Sequence, residues 1–151
     1  MSTSFLAIDP GLRTGWAALD DGVFSSGEIE GRLDAMRFIR RAGWHYANQG
    51  IRLVLHGEAY IITGNTGKKS RQYDPLLILG YMEGVADEFG FEFTSATPSA
   101  AKQFGTNKKL KLLGWYTTEG EGHANDAARH LLTCIASRPE GRPYIKRIAS
   151  A

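Results

Sequence analysis

A chain of 151 residues, 42% hydrophobic and 23% charged, has the length of one domain and enough apolar content for a core, which excludes a fibrous or low-complexity protein. Its net charge of +2 permits a nucleic-acid partner without requiring one, so that case must rest on where the charges fall. A lone cysteine, Cys134, excludes an internal disulfide, and with no signal peptide or bilayer-length apolar run the expectation is a cytoplasmic protein.

Four apolar residues, Phe5-Leu6-Ala7-Ile8, run into Asp9 and a Pro10-Gly11 turn, the pattern of a buried strand with a carboxylate at its end. A carboxylate there is costly to desolvate unless a cation or hydrogen-bond donors meet it. Capping of the Pro-Gly turn is the structural alternative. Residues 14–19 and 23–27 read as two more strands joined by Asp20-Asp21-Gly22, which completes an antiparallel meander. Leu33, Met36, Ile39, Gly43 and Tyr46 then recur at helical spacing, so residues 31–49 should form an amphipathic helix ended by Gly50. Residues 51–58 form the next strand, and again a carboxylate, Glu58, closes an apolar run.

Residues 63–73 change to Gly, Asn, Ser and basic side chains, with Lys68, Lys69 and Arg71 as candidate phosphate contacts. The glycine spacing there is too short for a Walker loop. Residues 76–89 are apolar on nearly every side, which predicts a helix covered by the core on one side and by a second subunit on the other, with Gly80 and Gly84 permitting close approach. A short strand at 91–94 and a helix started by Pro98 follow. Lys102, Lys108, Lys109 and Lys111 then occur without an intervening acid. The last helix, 123–137, buries Ala124, Ala127, Ala128, Leu131 and Ile135, and the basic stretch from 138 to 151 is expected to be a mobile end of a single domain covering 1–137.

Meander, helix, strand, helix, strand predicts an α/β domain with a five-stranded mixed sheet, three antiparallel strands then two parallel, flanked by helices. Asp9, Glu58, and the pair His123 and Asp126, three apart at one helix start, are candidate ligands for Mg²⁺ or Mn²⁺. Two such ions activate water and stabilise the leaving oxygen in phosphodiester hydrolysis. Each residue also has a structural reading: Asp126 and His123 at the helix start, Glu58 paired with an arginine of the long helix. His130 is read as structural or a DNA contact, and Tyr60 and Ile61 as core or as a surface for unstacked bases.

The run Ile8-Asp9-Pro10-Gly11-Leu12-Arg13-Thr14-Gly15-Trp16, Glu58 closing a central strand, the Pro98 helix start and His123-Ala124-Asn125-Asp126-Ala127-Ala128 together resemble the RuvC-type Holliday-junction resolvases of the RNase H-like superfamily, most closely in size the phage-encoded branch. The resemblance implies a homodimer that makes paired nicks in four-way DNA junctions and related branched DNA with Mg²⁺, or Mn²⁺ in its place. It also implies a metal site of Asp9, Glu58, Asp126 and, at a position that is Asp in many members, His123. The lysine that helps neutralise the scissile phosphate is left open among Lys102, Lys108 and Lys109. The alternatives are a broader flap or RNA-processing nuclease on the same fold, or a branched-DNA binding protein without catalysis.

Overall fold

The computed structural model describes residues 2–59 and 73–151. Tyr60, Ile61, Lys68, Lys69 and Arg71 lie outside the described residues. Strands β1 (Thr3–Asp9), β2 (Arg13–Asp20) and β3 (Val23–Glu30) form the expected meander. Its second turn uses Asp21 and Gly22 at positive φ, 48° and 78°, the conformation that a tight two-residue hairpin requires. Helix α1 (Arg32–Asn48) leads to β4 (Arg52–Glu58), and α2 (Asp74–Phe89) leads to β5 (Glu92–Ala96). The sheet order is β3-β2-β1-β4-β5, with β1, β4 and β5 mutually parallel. This is the predicted mixed sheet.

Alternation along β1 divides the core in two, as the strand's period of two demands. Leu6 and Ile8, with Leu53 and Leu55 of β4, meet α1 and α2 through Ile39, Ile78 and Met82. Phe5 and Ala7, with Val54, face the opposite layer. That layer is built from α3 (Pro98–Phe104), α4 (Asn107–Leu113) and above all α5 (His123–Ile135), whose Ala127, Ala128, Leu131 and Leu132 are fully buried. By the same parity Asp9 and Glu58 share the α5 side of the sheet.

One expectation needs correction. Leu33 belongs to the helical pattern but is 58% exposed, because the buried stripe of α1 runs through Ala35, Ile39, Gly43 and Tyr46. In the C-terminal stretch Pro139–Gly141 makes a 3₁₀ turn and Arg142–Ala149 a helix, α6. Tyr144, Ile145 and Ile148 recur at helical spacing and pack on the core, the Tyr144 ring 5.1 Å from that of Trp115. Basic residues and prolines masked that apolar stripe in the sequence. Among the described residues no helix is long and apolar enough to cross a membrane.

Candidate functional site

The carboxyl ends of β1 and β4 and the first turn of α5 meet at a cleft of about 430 Å³ lined by Asp9, Arg13, Glu58, Lys102, His123 and Asp126, among others. Asp9 is 8% exposed and receives no arginine or lysine ion pair among the described residues. The His123 ring stands beside it, with Nδ1 3.3 Å from Oδ2. Burial, then the charge of Glu58 and a hydrogen bond to it, then Asp126, push the Asp9 carboxyl up to about 8 against the opposing pull of Lys102. Burial acts the same way on Glu58, but hydrogen bonds from His130 and Asp9 outweigh it and hold that carboxyl below its ordinary value. Two crowded carboxyls titrate as a pair and hold one proton between them.

Asp9, His123 and Asp126 each offer a ligand atom, all within 4.8 Å of one another. Ligand atoms at this spacing lie within reach of a single divalent cation once the side chains adjust. Crowded oxygens with one imidazole, and a buried carboxylate short of positive charge, form a donor set suited to a hard divalent cation. Glu58 stands outside that triad and joins it through Asp9.

The helical half of the site is seated by residues that sequence reasoning passed over. Gly15 on β2 allows the first turn of α5 to rest on the sheet backbone; an added Cβ would lie 1.9 Å from the His123 carbonyl oxygen. No side chain of its own caps α5 at Gly122. Instead Glu28, from β3, accepts hydrogen bonds from the backbone N–H groups of Glu121 and His123, both at 2.9 Å. Burial would raise the Glu28 carboxyl, but those two N–H groups, with His123 and Arg13, keep it below its ordinary value. Asn125 accepts from Thr117 N–H at 2.9 Å and donates to Thr117 carbonyl at 2.8 Å, which pins the loop before α5. Arg129 donates to Asp126 at 2.9 Å and also to Asn107, linking the site to the start of α4.

His130 is nearer the site than its spacing suggested. The Nε2 atom lies 3.1 Å from Glu58 Oε2, and the side chain is 2% exposed. Helix α5 crosses the strands: His123 sits over β2 and β1, His130 reaches Glu58 of β4, and Cys134 lies 3.8 Å from Thr94 of β5. Distance along the helix is therefore displacement across the sheet rather than away from it. The available signal was that residues 123, 126, 130 and 134 share one helical face.

The lysines separate by placement. Lys102 of α3 lines the cleft. Lys109 is engaged locally, donating to the Phe104 carbonyl at 2.8 Å and lying over the Phe104 ring, and Lys111 lies over Tyr116. Lys108 is exposed and does not line the cleft.

No protein-family model and no curated protein matches the sequence. Solved structures do match. Thermus thermophilus RuvC in complex with Holliday junction substrate aligns with a TM-score of 0.58 at 15% identity, covering 91% of this chain and 96% of that one. A second Thermus thermophilus RuvC structure aligns with a TM-score of 0.54 at 16% identity, covering 84% and 90%. The alignment spans nearly the whole chain and the strand order is consistent with it, so the five-stranded mixed sheet with flanking helices is the RNase H-like fold that RuvC also has.

Proposed function

We propose that this chain is a divalent-metal-dependent endonuclease that nicks four-way junctions and related branched DNA by phosphodiester hydrolysis. The observation that carries the reading is the convergence of the Asp9, His123 and Asp126 ligand atoms within 4.8 Å, in a cleft shared with Glu58 and Lys102. The junction-bound RuvC neighbour supports the choice of substrate.

Asp9, Asp126 and His123 would hold the cation, and Glu58 would complete the ligand set from the β4 side. Mg²⁺, or Mn²⁺ in its place, supplies activation of water and charge stabilisation at the leaving oxygen. The proton held between Asp9 and Glu58 must leave for both carboxylates to act as ligands, a loss that cation binding itself favours. Lys102 places a positive charge at the cleft, where it can meet a phosphate oxygen. Lys108, Lys109 and Lys111 extend positive charge along α4, and Lys68, Lys69 and Arg71 are proposed to add to the same footprint. Processing of phage replication or recombination intermediates in a host cytoplasm is the setting that the chain's size suggests.

Asp9→Asn keeps the volume and removes the charge. The variant should lose nicking of a four-way junction by about a thousandfold or more while still binding it, as expected for an interaction required in the transition state. Near-normal cleavage would refute the assignment. Comparison of four-way, forked and single-stranded substrates fixes the substrate class.

A second copy of the chain is proposed to dock on α2, where Leu76 and Leu77 are 40% and 46% exposed and, among the described residues, nothing stands within 4 Å of a Cβ added at Gly80 or Gly84. A symmetric pair places two sites on a two-fold substrate. Sedimentation should show a dimer that Leu77→Glu converts to monomer; a wild-type monomer that still makes paired cuts would remove the interface.

A further inference from the structure

Behind Glu58, on the α5 side of the sheet, lies a row of buried polar side chains that hydrolysis as described does not use. His56, two residues before Glu58 on β4, is 4% exposed, and its Nδ1 is 2.7 Å from Thr94 Oγ1 of β5. Thr94 Oγ1 in turn stands 3.8 Å from Cys134 Sγ of α5. One helical turn back, His130 is 1% exposed with its Nε2 at Glu58. The two imidazoles lie side by side, tilted by 42° with centroids 5.6 Å apart, and the nitrogens left over, His56 Nε2 and His130 Nδ1, are buried without a partner among the described residues.

Donor and acceptor roles can be ordered along this row. An ionised carboxylate only accepts, so His130 Nε2 must carry the hydrogen it presents to Glu58, which in the neutral ring leaves Nδ1 as an acceptor. The two rings make no direct hydrogen bond, and one water between them would give both orphaned nitrogens a partner. A water that donates to His130 Nδ1 and accepts from His56 needs the His56 hydrogen on Nε2, so that His56 Nδ1 accepts from the Thr94 hydroxyl and Thr94 accepts from the Cys134 thiol. A water that donates to both rings needs the His56 hydrogen on Nδ1, and the Thr94 hydroxyl would then turn its hydrogen toward the Cys134 sulfur, a far weaker acceptor than a ring nitrogen.

We propose that Cys134, Thr94, His56 and His130 form a one-way relay of hydrogen-bond donors that fixes the His130 tautomer and holds Glu58 aimed into the cleft. His130 is a positioning residue for Glu58, and His56 with Thr94 sets its tautomer. The Glu58 end of the relay rests on the ligand reading above, whereas the tautomers do not.

Long-range ¹H–¹⁵N spectra of the metal-free protein read the two tautomers directly. Both rings should carry hydrogen on Nε2, and Thr94→Val, which removes the hydroxyl at nearly constant shape, should shift the His56 and His130 ring nitrogens together. Hydrogen on Nδ1 of either ring, or unchanged His130 signals in Thr94→Val, overturns the relay. Titration with Mn²⁺ alone reads the positioning role: His130→Phe should weaken binding by about tenfold or more, and His130→Gln, whose amide can donate in place of the ring, should restore most of it. Equal Mn²⁺ affinity in wild type and His130→Phe overturns the positioning role. A wild type that binds no Mn²⁺ instead refutes the ligand reading, while the tautomers still decide the relay.

Discussion

The two halves of the site are held by different physics. Asp9 and Glu58 stand at the ends of neighbouring parallel strands, so the ladder between β1 and β4 fixes their separation and the parity of the strands fixes their side. His123 and Asp126 stand on a helix that no ladder positions. Their place depends on one glycine, one carboxylate from a distant strand and a pinned loop. The strand half should therefore tolerate changes to its neighbours that the helix half does not.

Adding one methyl group on each half exposes this difference most strongly. In Gly15→Ala the new carbon would meet the His123 backbone at 1.9 Å, and backbone cannot give way without moving the first turn of α5. Overpacking of that kind should cost more than ~3 kcal/mol and displace His123. Gly57→Ala, beside Glu58, meets the end of the Leu79 side chain at 2.5 Å, which a rotamer change can relieve. It should cost about 1 kcal/mol. Denaturant melts of the two variants check the comparison, and equal losses would break it.

The pH response belongs to the strand half. The folded Asp9 carboxyl is raised to about 8 from its ordinary 3.8, so its protonated form stabilises the metal-free fold below about pH 4 and that contribution is lost as pH rises toward 8. Glu58, held low, acts in the opposite sense at the acid end. Across the window from about pH 4 to pH 8 the metal-free fold should lose a few kcal/mol, an order of magnitude set by about 1.4 kcal/mol per pKa unit for a proton that the pair shares. Thermal melts of metal-free protein should fall through that window, Mg²⁺ should restore the loss at the alkaline end, and Asp9→Asn should flatten the profile. A wild-type profile already flat would mean that Asp9 is not buried as described.

The same division explains what could be read in advance. An apolar run ending in a carboxylate is a local pattern, so Asp9, Glu58, the meander and the parallel pair followed from residue order alone. His123 and Asp126 followed from their spacing on one helical turn. The angle at which α5 crosses the sheet is a tertiary quantity, so the contact of His130 with Glu58 could not be read from spacing along the helix. Glu28 carries no local mark at all: it alternates within a polar edge strand, and only folding brings it to the start of α5. Lys102 likewise separates from its neighbours only once Lys109 and Lys111 are seen on Phe104 and Tyr116.

Glu28 gives the smallest effect and the finest test of the helix half. Its carboxylate accepts from Glu121 N–H with both oxygens, at 2.9 Å and 3.0 Å, and from His123 N–H at 2.9 Å, and its side chain is only 7% exposed. Gln keeps one accepting oxygen but turns an NH₂ toward the backbone donors and Arg13, whose guanidinium stands 3.9 Å from the carboxylate. At pH 7 Glu28→Gln should lose about 1–2 kcal/mol, the range for charged hydrogen bonds left incomplete. Because the folded Glu28 carboxyl lies below its ordinary 4.5, its contribution is present above that value and disappears as acid protonates it, so the gap should narrow as pH falls below that value. A gap unchanged between pH 7 and pH 3 would trace the loss to shape rather than charge, and α5 would then be seated by Gly15 and Asn125 without help from β3.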